Sequence, residues 1–222
     1  MDNRPNADKT VLFIGTSVLA HEIPGSTEFE IHPPVKRGDL EKLQLSEADS
    51  VIIVDGEFGQ NLSVSPKEIL KLLERNITVY GASSMGALRA VELNMYGMIG
   101  SGWVYRAYQS GAVTRDDEVA LLYHPANYTP LTVPLINIRY WLSKLLEIKA
   151  LTALQANKIL HRLGKLYFGD RSIDRIENVV DTVLNTGSFC FLKAVTNGEI
   201  SDIKKLDAIN LLKSLRRINY ER

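Results

Sequence analysis

The sequence predicts an α/β protein with an open, mostly parallel sheet of the Rossmann/flavodoxin-like three-layer kind, followed by a C-terminal all-helical appendage. Three observations predict it. Through the first 130 residues, short β-branched runs closed by Gly or Pro alternate with segments of helical length. From Pro134 onward the apolar period changes, and Leu135, Ile138, Leu142 and Leu145 form one helical stripe. Charge divides the same way. The whole chain balances 26 basic against 26 acidic side chains, but residues 1–130 carry 11 and 17, and residues 131–222 carry 15 and 9. Such a split marks two functional regions, the basic one either facing an acidic partner or carrying solvated helix faces.

The elements follow in order. Residues 1–10 read as a flexible leader, polar and bearing Pro, Asn and Asp. Val11-Leu12-Phe13-Ile14 is a strand ended by Gly15, and Glu28 to His32 is a weaker one closed by Pro33-Pro34. A helix is expected at Leu40. Val51 to Val54 is the next strand, stopped by Asp55-Gly56. Ser65-Pro66-Lys67-Glu68 is a capping box with proline at the first helical position, and Ile69, Leu72 and Leu73 continue the helix. Ile77 to Tyr80 is a strand ended by Gly81, and a helix runs from Met85 to Leu93. Gly97, Gly100, Gly102 and Gly111 mark an irregular stretch, and Thr114 caps a short helix through Leu122. Helices are expected over 151–166, 171–185 and 202–217. The predicted core domain is 11–130 and the helical region 131–222.

A chain of 222 residues buries roughly 70% of its unfolded surface, so its core needs no metal or disulfide. No apolar run approaches the ~20 residues that span a bilayer, and Met1 to Thr10 hold no export segment. Cys190, alone between Phe189 and Phe191, reads as a small buried apolar residue. These features predict a cytoplasmic protein without membrane contact. There is no G-x-x-x-x-G-K-[ST] loop, and Gly97-Met98-Ile99-Gly100-Ser101-Gly102 only scrambles a dinucleotide fingerprint. Asp116-Asp117-Glu118 is at most a weak divalent site. Neither cofactor nor metal is expected.

The sharpest motif is Gly81-Ala82-Ser83-Ser84-Met85-Gly86-Ala87-Leu88-Arg89-Ala90. A strand enters a turn of small residues and a helix leaves at once, close to the small-x-Ser-x-Gly nucleophile elbow. Three readings fit: Ser84 as nucleophile, an anion-binding turn using the Met85 and Gly86 N–H groups, or plain capping by Ser83 or Ser84. A nucleophile needs a base. His124, at the end of Asp116-Asp117-Glu118-Val119-Ala120-Leu121-Leu122-Tyr123-His124, is the best of four histidines, although the acids also suit a helix N-terminus. Lys36 and Arg37, on the loop after Pro33-Pro34, either clamp an anion or face solvent. Asp55 stands where open α/β sheets place their ligand crevices, or simply forms an Asp-Gly turn.

Pro33 to Asp39, Asp55-Gly56-Glu57-Phe58, Gly81 to Ala90 and Asp116-Asp117-Glu118-Val119-Ala120, in this order, resemble the TfuA-like family. The resemblance covers roughly residues 11–140. It implies a partner role beside a YcaO protein in the modification of a ribosomally made precursor peptide. It further implies hydrolysis of the thiocarboxylate on a ThiS-like sulfur carrier, to deliver sulfide for thioamide formation. Ser84 would then act as nucleophile or position water, with His124, Asp116, Asp117 or Glu118 moving the proton. Met85, Gly86, Lys36, Arg37 and Arg89 would bind the oxyanion or the carrier tail, and Asp55 and Ser83 the substrate. A non-catalytic adaptor for the YcaO protein is the alternative. Lys204, Lys205, Lys213, Arg216 and Arg217 suggest nucleic acid, but Leu206, Ile209, Leu212 and Leu215 make the segment an amphipathic helix, which argues against it.

Overall fold

Each apolar run of the first region becomes a strand: β1 (Thr10–Phe13), β2 (Glu30–His32), β3 (Ser50–Ile53) and β4 (Thr78–Ala82). The computed structural model describes residues 9–59, 62–185 and 201–220, so Cys190 lies outside the described residues. A fifth strand, β5 (Ile99–Ser101), completes a sheet ordered β2-β1-β3-β4-β5, and every pairing in it is parallel. Phe13 pairs with His32 and Ile53, Ile53 with Gly81, and Gly81 with Gly100. The strands therefore finish in line, and their carboxyl ends share one edge.

β5 and the helix after it, α3 (Gly102–Gln109), fall in the stretch that the sequence marks as irregular. The reason is local. β5 has three residues with a glycine at its centre, too few to alternate, and a side chain on Gly100 would collide with the Tyr105 ring. α3 lacks a side-chain cap of its own. Its first donors, Trp103 N and Val104 N, are accepted at 2.8 Å each by the Asp207 carboxyl, a cap supplied from far along the chain. Burial pushes that carboxyl above its ordinary value, against the pull of the two N–H donors.

The two sheet faces are covered differently. Leu12, Ile14, Ile52, Val54 and Ala82 pack against Ala208, Leu211 and Leu212 of the final helix. That helix spans Ile203–Tyr220 and is the seventh in the described chain, α7. The opposite face carries α2 (Met85–Leu93), with α1 (Pro66–Leu73) beside it. There the helix backbone lies so close that a side chain on Gly81 would strike the Gly86 carbonyl, and one on Gly86 would strike the Ile53 carbonyl.

α1 begins with the expected capping box. Ser65 Oγ accepts from Glu68 N at 3.3 Å, and Glu68 Oε1 accepts from Ser65 N at 3.0 Å. Ser65→Ala is expected to destabilise the protein by about 1 kcal/mol, read as a lower urea midpoint at unchanged slope. Elsewhere less helix forms than the sequence suggests. The element at Leu40 is one 3₁₀ turn, Leu40–Lys42, and the helix from Thr114 to Leu122 shrinks to the turn Asp116–Glu118. Thr114 does not cap it; Arg115 precedes it, and the acidic side chains bond arginines.

Chain contacts divide the protein into residues 1–114 with 204–222, and residues 115–203. Charge composition places a single break near 130; the contacts return the last helix to the sheet. In the second unit, α4 (Leu135–Glu147), α5 (Ala153–Gly164) and α6 (Ile173–Leu184) enclose Leu135, Ile138, Trp141, Leu142, Ile159, Leu163, Ile176 and Val180. Among the described residues, no helix is long and apolar enough to cross a membrane.

Candidate functional site

Where β4 runs into α2, the chain bends sharply at Ser83, whose φ is +69°. A side-chain-bearing residue in this left-handed region costs about 1–2 kcal/mol, so the surroundings must hold it there. Ser83 is fully buried, and its Oγ lies 2.8 Å from Ser17 Oγ. Ser17 Oγ in turn donates to Asp55 Oδ1 at 2.6 Å. Thr16 Oγ1 donates to the same oxygen, while Gly15 N and Ser17 N donate to Oδ2 at 2.9 and 2.8 Å. Asp55 follows β3, Gly15 to Ser17 follow β1, and Ser83 follows β4. The cluster thus occupies the carboxyl edge of the sheet beside the β1/β3 switch in strand order, where this architecture forms its crevices.

The bend distributes its backbone donors unevenly. Ser84 N donates to Ala82 O at 2.9 Å and Gly86 N to Val54 O at 3.2 Å. Met85 N, between them, finds no acceptor among the described residues. Ser84 is 7% exposed; its hydroxyl makes no hydrogen bond there and is not among the sealed polar atoms, so it reaches solvent. In a nucleophile elbow the oxyanion donor is the N–H after the nucleophile. For Ser84 that donor is the uncommitted Met85 N–H. For Ser83 it is the Ser84 N–H, already spent. The expected second donor, Gly86 N–H, is also spent.

The rim comes from the loops after β2 and β3. Val35 bridges Gly56 in parallel, with Val35 N donating to Asp55 O and Glu57 N to Val35 O. Gly56 sits against Met85 and Val35, where a side chain would crowd both. The adjacent Lys36 is 54% exposed, with its Nζ 3.7 Å from Glu57 Oε1, a loose ion pair. Arg37 Nε reaches Ser63 O at 3.4 Å. Arg89 is a brace: its Nε donates to Val64 O at 2.9 Å and its Nη1 to Glu92.

The acidic turn belongs to the second unit, and two of its three carboxylates are occupied. Arg139 bonds both oxygens of the buried Glu118, through Nε at 2.8 Å and through Nη2. Arg115 bonds both oxygens of Asp117 at 2.9 Å, and the buried Arg171 adds Nη2 to Oδ2. Arg115 also reaches Gly164 O, tying the turn to α5. Asp117 and Glu118 are therefore clasps of the helical unit. Asp116 is exposed, and so is His124, whose Nδ1 accepts from Ala126 N at 3.3 Å in a turn outside any helix.

Burial pushes the Asp117 carboxyl up, but the hydrogen bonds and charges of Arg115 and Arg171 outweigh it and hold the carboxyl below its ordinary range. A lowered folded value means that this stabilisation is present at neutral pH and disappears as pH falls through that value. Asp117→Asn should therefore lower the stability of the protein at pH 7, and the gap to the parent should narrow below about pH 4. Urea titrations at several pH values, followed by tryptophan fluorescence, check this.

The residues that the sequence reading missed are Gly15, Thr16 and Ser17. Their one visible signal is a small polar run closing a strand at the end where crevices form. The basic tail is partly committed: Lys205 pairs with Glu22 and Arg216 with Glu28, both within the first unit.

Fold and site together define a doubly wound, flavodoxin-ordered α/β protein whose serine turn lies at the carboxyl edge of the sheet. The family model for TfuA-like proteins matches residues 55–172, from the strand-end aspartate through the serine turn and acidic turn to the start of α6, and the chain belongs to that family. The match starts later and extends further into the helices than the motifs alone suggest. Members of the family are associated with YcaO-type modification. No curated protein matches the chain.

Proposed function

We propose that this protein supplies sulfide to a YcaO-type enzyme by hydrolysing the C-terminal thiocarboxylate of a small ThiS-like carrier. The observation that carries the reading is the Ser84 hydroxyl, which has no hydrogen-bond partner among the described residues, next in sequence to the Met85 N–H, which has no acceptor there either. Acyl transfer to water needs such a pair: an oxygen to attack the carbonyl carbon and a donor for the oxyanion that forms. The balance is simple. Ser84 Oγ bonds to the acyl carbon, the C–S bond breaks, and the serine proton leaves with the sulfide as HS⁻. Water then cleaves the ester, one of its protons restoring the serine hydroxyl and the other passing to solvent, which leaves a carboxylate. The first step needs no separate proton acceptor in its stoichiometry. Lys36, exposed on the rim, suits the anionic carrier tail.

Mass spectrometry of a thiocarboxylated carrier mixed with the purified protein tests the reading, through conversion to carboxylate with release of sulfide. The uneven charge of the two sequence regions supports a second reading, an adaptor that docks on the YcaO protein or recruits carrier or peptide. That reading is favoured if every thiocarboxylated carrier stays intact while the protein still accelerates its YcaO partner.

A further inference from the structure

We propose that Asp55 is a positioning residue that acts through Ser17 and Ser83 to set the bend presenting Ser84. The direction of the chain follows from donor counting. Ser17 has one hydroxyl hydrogen, and it goes to Asp55 Oδ1. Toward Ser83 it has only lone pairs to offer, so Ser83 donates to Ser17 across the 2.8 Å contact. The order is Ser83 to Ser17 to Asp55, and the whole chain is buried: Ser83 is 0% exposed, Ser17 3% and Asp55 1%.

Two features make this more than a packing detail. Ser83 is the residue with φ +69°, so the chain ends on the strained link of the bend. Asp55 also gathers four donors from Gly15, Thr16 and Ser17, fixing the loop after β1 as the platform on which Ser17 stands. One carboxylate thereby ties the carboxyl ends of β1, β3 and β4 together. The four donors form a nest for an anion, and the protein fills it with its own side chain.

The proposal rests on the reading above only for its kinetic arm. Asp55→Ala leaves the nest empty, and formate, the smallest carboxylate, can occupy it. In Asp55→Ala and Ser17→Ala, backbone exchange of the Ser84 amide should quicken about tenfold, as loss of one strong hydrogen bond implies. In Asp55→Ala, formate should slow that exchange again. Thiocarboxylate hydrolysis should lose kcat with KM nearly unchanged, and formate should restore part of kcat in Asp55→Ala but none in Ser17→Ala. A merely structural loss would quicken exchange alike across the sheet, whereas loss of positioning quickens it at the Ser84 amide ahead of the strand amides. If Asp55→Ala fails to fold, Ser17→Ala with its single deleted oxygen decides by the exchange arm. Exchange of the Ser84 amide at the parent rate in the folded variants, or formate without effect on exchange in Asp55→Ala, overturns the proposal. A parent protein that hydrolyses no thiocarboxylate overturns the function proposed above and leaves the exchange arm to decide this one.

Discussion

Ser84→Ala is expected to lower thiocarboxylate hydrolysis by about 100-fold or more, because a residue that forms the bond in the transition state contributes at least that much. The substitution is mild for the fold. Among the described residues the hydroxyl makes no hydrogen bond, so removing it strands no partner there, and thermal unfolding should shift little. Ser83→Ala is the instructive contrast: it removes a buried donor from the Ser17 oxygen at the strained bend. A Ser84→Ala rate within about tenfold of the parent would exclude Ser84 as nucleophile.

Gly86→Ala sets two physical effects of opposite sign against each other. Gly86 lies inside α2, so helix propensity alone predicts a gain of up to ~1 kcal/mol for alanine. Sterics predict the reverse, because the new carbon would meet the Ile53 carbonyl, a backbone group of β3 that cannot rotate away. Relieving the clash means lifting the start of α2 from the sheet and stretching the bond from Gly86 N to Val54 O. Overpacking of this kind costs roughly 1–3 kcal/mol, and a backbone partner places it at the upper end. We expect a destabilisation of about 3 kcal/mol in urea unfolding, accompanied by loss of hydrolysis. A more stable variant would show that the helix start is not held as described.

The parts of the fold that could be read from the sequence are those whose causes are local. Val51 to Val54 announces a buried strand by its own composition, and Ser65 and Glu68 announce a helix start by a bond between near neighbours. β5 and α3 could not be read this way: Gly100 has no side chain to pattern, and the α3 cap is Asp207, over 100 residues away. The site divides similarly. Ser84 and Asp55 stand out because small residues flank the one and a strand end precedes the other. Ser17 does not, since its importance lies in two contacts with residues 38 and 66 positions distant. The acidic triplet divides the same way: its composition is visible in the sequence, while Arg139 and Arg171, which bond Glu118 and Asp117, arrive only through folding.

The covering of one sheet face by α7 has a consequence for the order in which the protein is made. Leu12, Ile52 and Ala82 leave the ribosome more than 120 residues before the residues that shield them, Ala208, Leu211 and Leu212. The three helices between 135 and 184 find their partners among themselves and are complete before that. The inserted bundle is thus free to fold first, while the strands synthesised before it keep a greasy flank uncovered until α7 has followed.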